Sequence, residues 1–431
     1  MVCRPRISNR IRAVAAAALL ALSACLSGCV PGFGDSSAAG SSSLSLPTIP
    51  WEGGPAYWAH FDRAKASGWS DPSFFPIGVW WDTVSSLEQA KFDKSLGINT
   101  YIQNGTTLDS SFLDETGMFW IGDKLNDSFT TSTKNWVGYF LDDEVDGRYS
   151  PEAGRAHLTE LRKSVPQGMF AYTNFTSMVA EQNMKESDAT AFVNDFTDVV
   201  SVDKYWYTNR QCHAEPYYDA SLIPVDQHAC RSASSYGKTI QALRQRNSAG
   251  TKLQSIWQFV EDLGGAGGTE DFTSYIAPQE LKGAVMNSLI HEARGVVYFN
   301  SSLGGPCQAG NVIRNVEYNA DSCAKDQVAA VGQVNAQIHR LAPVLNTQSY
   351  TWDCGPGLET MVKSSGGFAY IFAMTAAGTS PGTRTFQLPK GVRGTTAEVV
   401  DESRQLGVDA SGHFSDSFAS ESSYHIYKIK I

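Results

Sequence analysis

Carboxyl-bearing residues stand where two apolar runs stop. NWVGYFLDDE (135–144) ends in Asp142-Asp143-Glu144, and KLQSIWQFVE (252–261) ends in Glu261, followed by Asp262. Two carboxyl groups can divide the work of breaking an acetal if their surroundings push their pKa values apart. One then protonates the leaving oxygen, and the other attacks the anomeric carbon or activates water. Glu144 and Glu261 are therefore the candidate catalytic pair. Other apolar runs end in residues suited to holding a sugar. Trp80 and Trp81 close one run, Tyr205 and Tyr207 another, and Trp257 lies in the run that leads to Glu261. Flat rings cover the C–H face of a sugar. Asp142, Asp143, Asn174 and Asn300, each at the end of a run, supply forked groups for its hydroxyls.

These residues need a scaffold that gathers strand ends on one face. Apolar runs at 75–82, 98–104, 117–122, 135–144, 168–175, 198–208, 252–261 and 295–302 alternate with helical stretches. Ser150-Pro151 starts one helix, as an N-cap followed by a proline at the first position. Gly97, Gly250 and Gly295 stop others. Near-continuous apolar strands are those of a parallel sheet buried on both faces. Eight such units over residues 51–345 predict a (β/α)₈ barrel, an α/β fold whose chemistry sits at the C-terminal strand ends. From 346 to 431 the pattern changes to period-two runs separated by Gly, Ser and Asp turns. This predicts a small antiparallel β-sandwich.

The first 28 residues read as an address. Arg4, Arg6, Arg10 and Arg12 precede a dozen apolar residues, too few to span a bilayer as a helix. Leu26-Ser27-Gly28-Cys29 follows and resembles the lipobox of bacterial lipoproteins, in which the cysteine is acylated. The resemblance implies export, a lipid anchor at Cys29, and a mature protein on the extracytoplasmic side of the bacterial membrane. Residues 29–50 are rich in Gly, Ser and Ala and read as a tether. The chain carries 34 basic and 44 acidic side chains, a net charge of −10. Loss of the four signal arginines makes it −14. That balance excludes a basic nucleic-acid face and electrostatic binding to anionic lipid.

Five cysteines follow the tether. The nearest-neighbour pairs are Cys212–Cys230 and Cys307–Cys323, which would staple two long loops and leave Cys354 free. No C-x-x-C pair, zincin helix or EF-hand spacing occurs, so no metal or cofactor is expected. Gly378-Thr379-Ser380-Pro381-Gly382 fits the G-x-S-x-G pattern, but it lies between strand-like runs without a following helix and reads as a hairpin loop.

Acidic residues after strands four and seven also resemble the clan of barrel glycosidases that includes cellulase-like and β-galactosidase-like enzymes. The resemblance covers about residues 74–345. It implies Glu144 as acid/base, Glu261 as nucleophile, a tyrosine at Tyr205 or Tyr207 orienting the nucleophile, and a retaining mechanism on an oligo- or polysaccharide. The clan usually has Asn before the strand-four Glu, where this chain has Asp143. The alternative is a carbohydrate-binding lipoprotein without catalysis on the same scaffold.

Overall fold

The computed structural model describes residues 44–209, 212, 220–226, 229–250, 252–265 and 274–431. The signal segment, Cys29 and the tether up to residue 43 lie outside the described residues. So do residues 266–268 of the glycine-rich run 264–268.

Eight parallel strands close into a barrel in chain order. They are Ile77–Asp82, Thr100–Asn104, Phe119–Ile121, Trp136–Asp143, Phe170–Phe175, Val199–Val202, Ser255–Glu261 and Val296–Phe299. The eighth pairs with the first, Val296 beside Ile77. Each apolar run identified above contributes one strand. Strand six is shorter than its run and ends at Val202, so Tyr205 and Tyr207 belong to the segment that follows.

Helices cover the outside. Ser86 and Ser150 cap theirs by accepting from Gln89 and Ala153 backbone N–H groups. The barrel interior is aromatic. Trp80, Phe119, Phe140, Phe170, Tyr172, Trp257 and Phe259 share one buried cluster. Trp58 and Trp69, from the segment before strand one, join it and close the N-terminal end. Trp69 stacks on Trp257 at 6.3 Å, and Trp58 meets Phe170 at 5.2 Å. Access to the interior is thus left to the C-terminal end.

The C-terminal region is antiparallel. Leu358–Ser365, Phe368–Thr375, Tyr424–Lys430, Thr396–Val399 and Arg404–Gly407 form one sheet in that order. Gly382–Gln387 pairs with His413–Phe418 in a second, where Phe386 stacks on Phe414 at 4.6 Å. The two sheets make a sandwich-like unit with its own core. The strands flanking the G-x-S-x-G segment lie in different sheets, so it is a sheet-to-sheet loop rather than a hairpin. Met361, Phe372, Met374 and Ile426 belong to the core that also holds the barrel's helix layer, so the sandwich is packed against the barrel.

The last part of the composition-defined tether is structured. Leu44 is buried in the sandwich core, and Thr48–Ile49 pairs antiparallel with Ser349–Tyr350. Apolar Leu44 and β-branched Thr48 and Ile49 find a sheet edge that composition alone does not reveal. Both proposed disulfides are present, Cys212–Cys230 and Cys307–Cys323, and Cys354 is free and buried. Among the described residues no helix is long and apolar enough to cross a membrane.

Candidate functional site

The polar residues lie above the aromatic floor, at the C-terminal strand ends. Strands five, six and seven send alternate residues inward, because side chains alternate across a strand. Phe170, Tyr172 and Asn174 form one such series. Val199, Ser201 and Asp203 form the next, and Trp257, Phe259 and Glu261 the third. Each ends in a polar group. The Tyr172 hydroxyl lies 2.6 Å from Ser201 Oγ, Ser201 donates to Asn174 Oδ1 at 2.7 Å, and Asn174 Nδ2 donates to Asp143 Oδ1 at 3.0 Å. This chain of hydrogen bonds fixes Asp143 against its neighbour strand. Burial pushes the Asp143 carboxyl up to about 6 against the help of Asn174, with the Glu144 charge adding to the rise.

Glu144 occupies left-handed backbone, φ 50°, immediately after strand four. Its N–H donates to the Asn174 carbonyl at 3.0 Å. The conformation is unusual for a residue with a Cβ and marks a functional candidate. It brings the Glu144 carboxyl beside that of Asp203, while Asp143 faces Asn174. Asp203 holds its proton well above the usual carboxylate range. Burial is the first cause, followed by the Glu144 charge, a hydrogen bond with the Glu144 carboxylate, and the Asp143 charge.

Glu261 is fully buried. The Tyr236 hydroxyl lies 2.7 Å from both of its oxygens, and the Thr208 N–H and hydroxyl each donate to Oε1 at 3.2 Å. Burial pushes this carboxyl up to about 7 despite those donors. The Tyr205 phenol feels the charges of Asp203, Glu261, Asp143 and Glu144, and burial and those charges push it well above its ordinary value. One phenol therefore lies within electrostatic reach of all four carboxyls.

Several expected contacts fall elsewhere. Asp142 turns away from the mouth to Arg148 and His157, with His157 Nε2 at 2.7 Å. Trp257 is part of the barrel floor, its indole N–H bonded to Ser255 Oγ at 2.9 Å. Asn300 is fully buried and serves as a clamp: its amide reaches Asn311 at 3.0 Å and accepts from the Ile313 N–H at 2.9 Å. Tyr207 does not touch Glu261 but donates to Glu421 of the C-terminal region at 2.5 Å. The tyrosine that does hold Glu261 is Tyr236, on helix Ala233–Ser248. Trp80 packs on Phe140 and Phe259 as the top of the floor. Trp81, at φ 52°, stands 53% exposed beside it. That left-handed turn also points Asp82 toward the helix layer, where Asn311 donates to it at 2.6 Å and Arg314 lies at 3.5 Å.

Asp203 and Tyr236 were missed by sequence reasoning. Asp203 had a signal, since it continues the Val199-Ser201 alternation. Tyr236 had none, because its role depends on how the helix after strand six packs. Among the described residues no group of three or more His, Cys, Asp and Glu side chains could hold a metal ion.

No family model and no curated protein matches this chain. Solved structures do. Eubacterium rectale Amy13B aligns over 90% of this chain and 98% of its own, with TM-score 0.50 and 8% identity. Isomaltulose synthase from Klebsiella sp. LX3 aligns over 84% and 99%, with TM-score 0.47 and 10% identity. A GH30 endoxylanase from Clostridium papyrosolvens C71 aligns over 83% and 97%, with TM-score 0.42 and 11% identity. The likeness is one of fold.

Proposed function

We propose that the chain is a glycosidase acting on an oligo- or polysaccharide, with Glu144 as acid/base and Glu261 as nucleophile. The observation that carries this reading is the contrast between two carboxyl environments at one barrel mouth. Asp203 retains a proton beside Glu144. Glu261 is met by a backbone N–H, which can only donate, and by two hydroxyls. The first environment keeps a proton ready for a leaving oxygen. The second stabilises a carboxylate once it forms. Asp203 passes its proton to Glu144, which protonates the glycosidic oxygen as the sugar C–O bond breaks. Glu261 bonds to the anomeric carbon, and water then releases the sugar with Glu144 as base. Trp80 and Trp81 supply the apolar surface for the sugar ring.

Hydrolysis of a glycan panel by Glu144→Gln and Glu261→Gln tests the assignment. Each change should lower kcat by about 10²-fold or more. Unchanged hydrolysis by both variants would overturn it. Saturable glycan binding by the wild type with no hydrolysis of any panel member would favour the binding-only alternative.

We also infer that the protein is exported and anchored through an acylated Cys29. The Arg-rich start, the apolar run and Leu26-Ser27-Gly28-Cys29 support this. So do two disulfides, which persist in oxidising compartments. Labelled palmitate should enter the membrane fraction on the wild type and be lost with Cys29→Ser. Equal labelling of both would reject the site.

A further inference from the structure

Glu261 draws its hydrogen bonds from two places in the chain. Thr208, in the segment after strand six, donates with its N–H and its hydroxyl at 3.2 Å. Tyr236, in the first turn of helix Ala233–Ser248, brings its hydroxyl to 2.7 Å. Both places are held by one side chain from the C-terminal region, Glu421. Its Oε1 accepts from the Tyr207 hydroxyl at 2.5 Å, and its Oε2 accepts from the Ala233 N–H at 2.9 Å. Tyr207 precedes Thr208, and Ala233 is the first residue of the helix that carries Tyr236. The two segments also meet directly, where the Tyr207 N–H donates to the Tyr236 hydroxyl at 3.1 Å. A hydroxyl that accepts there keeps its own proton for Glu261.

Glu421 lies in the turn between strands His413–Phe418 and Tyr424–Lys430. The Ser420 N–H donates to Ser423 Oγ at 2.9 Å, and the Ser423 N–H to the Ser420 carbonyl at 3.2 Å, which closes the turn. The turn is seated on helix Pro278–Ile290. Gln279 Nε2 donates to the Ser422 carbonyl at 3.0 Å, and a Cβ at Gly283 would lie 2.7 Å from the same oxygen. Helix Ala233–Ser248 has no side-chain cap from its own N-cap residue, Ser232. A helix N-terminus leaves N–H groups without partners and favours negative charge. Glu421 supplies both the acceptor and the charge. Glu359, on strand Leu358–Ser365, adds a second anchor by accepting from Ser234 Oγ and from Asn287 Nδ2, the latter at 2.6 Å.

We propose that Glu421 is a positioning residue for Glu261: it clamps the two segments that supply the donors of Glu261, and so makes the C-terminal region part of the working site. The inference rests on the reading of Glu261 as nucleophile. Loss of the clamp lets Tyr236 and Thr208 move, weakens their bonds to the Glu261 carboxylate and makes that carboxylate harder to form. Loss of a nearby negative charge alone acts in the opposite direction, so the sign separates positioning from direct electrostatics. Glu280 and Glu359 are the like charges felt by Glu421, and Arg231 feels those of Glu280 and Glu261. The test variants retain all of them.

Titration of the Glu261 carboxyl by NMR of the full chain labelled in glutamate tests the proposal, with Glu261→Gln to assign the resonance. The midpoint should lie at about 7 in the wild type. It should rise by about half a pH unit or more in Glu421→Ala and in Tyr207→Phe. Glu421→Gln keeps an acceptor for the Ala233 N–H and should shift it less. A contact that only stabilises the fold would lower the urea midpoint and leave this titration in place. An unmoved or lowered titration midpoint in Glu421→Ala would overturn the proposal. If that variant does not fold, the same result in Tyr207→Phe would overturn it. The titration needs no turnover, so the two readings fail separately: retained hydrolysis by Glu261→Gln would overturn the nucleophile, and with it the bearing of Glu421 on catalysis.

Discussion

The Tyr236 hydroxyl lies 2.7 Å from both carboxyl oxygens of Glu261. The tyrosine ring is buried in the helix-layer core and stacks with Tyr207 at 5.7 Å, so the hydroxyl is held in place. Tyr236→Phe removes this donor and retains the ring. A hydrogen bond to a charged group contributes about 1.5–3 kcal/mol, or about one to two pH units of carboxyl pKa. Glu261 is pushed up to about 7 with Tyr236 in place. A nucleophile must be ionised, so kcat/KM of the wild type should rise with pH through about 7. In Tyr236→Phe that rise should move up by about one to two units. An unmoved limb would separate Tyr236 from the ionisation of Glu261.

Asp203 and Glu144 should act as a unit. Asp203→Asn removes the proton stored beside Glu144. Glycosides with poor leaving groups need protonation, and their kcat should fall by about 10²-fold or more. Activated aryl glycosides need little protonation and should be affected much less. Equal losses on both substrate types would argue against a role in proton delivery.

Asp262 should set part of the pH dependence of stability. It is fully buried, neither oxygen has a partner, and burial with the Asp82 charge raises it well above the usual carboxylate range. The native state therefore binds a proton that the unfolded chain has already lost above about pH 4. This group's contribution to stability is full below that pH and declines as pH rises toward the folded-state value. Asp262→Asn should be more stable than wild type at pH 8, with the difference shrinking toward pH 4. Urea midpoints at the two pH values measure it, and a gain independent of pH would rule out this ionisation as the cause.

Trp81 and Trp257 are equal in size and opposite in consequence. Trp81 is exposed at the rim, whereas Trp257 stacks on Trp69 inside the barrel. Trp81→Ala should raise KM and leave the urea midpoint nearly unchanged. Trp257→Ala should destabilise the fold by about 3–5 kcal/mol through the cavity it leaves. Kinetics and denaturation of the two variants give the comparison, and a stable Trp257→Ala protein would contradict its place in the floor.

The eight strands were legible because a strand buried on both faces must be apolar along its length. Gly97 and Ser150-Pro151 marked helix boundaries for local reasons that hold in any context. What escaped depended on direction. In the run 198–208, Asp203-Lys204 are followed by Tyr205, Trp206 and Tyr207, and these aromatics put the apparent strand end past Asp203. Trp81 and Glu144 adopt left-handed backbone, which redirects the side chains around them, and no residue type at those positions announces it. Asp142 belongs to the same acidic triplet as Asp143 and Glu144, yet strand geometry sends it to Arg148 and His157.

Sequence by itself determined the barrel and the sandwich-like region, because periodicity and apolar run length are local properties; the disulfide pairings it offered only as nearest neighbours, and the fold decided them. Sequence also placed Glu144 and Glu261 at strand ends. Tertiary structure alone decided which groups stand beside them. Asp203 meets Glu144 across strand five, and Tyr236 reaches Glu261 from a helix 25 residues earlier in the chain. Proton affinity depends on burial and neighbouring charge, and both are set by residues distant in sequence that folding brings within hydrogen-bond reach.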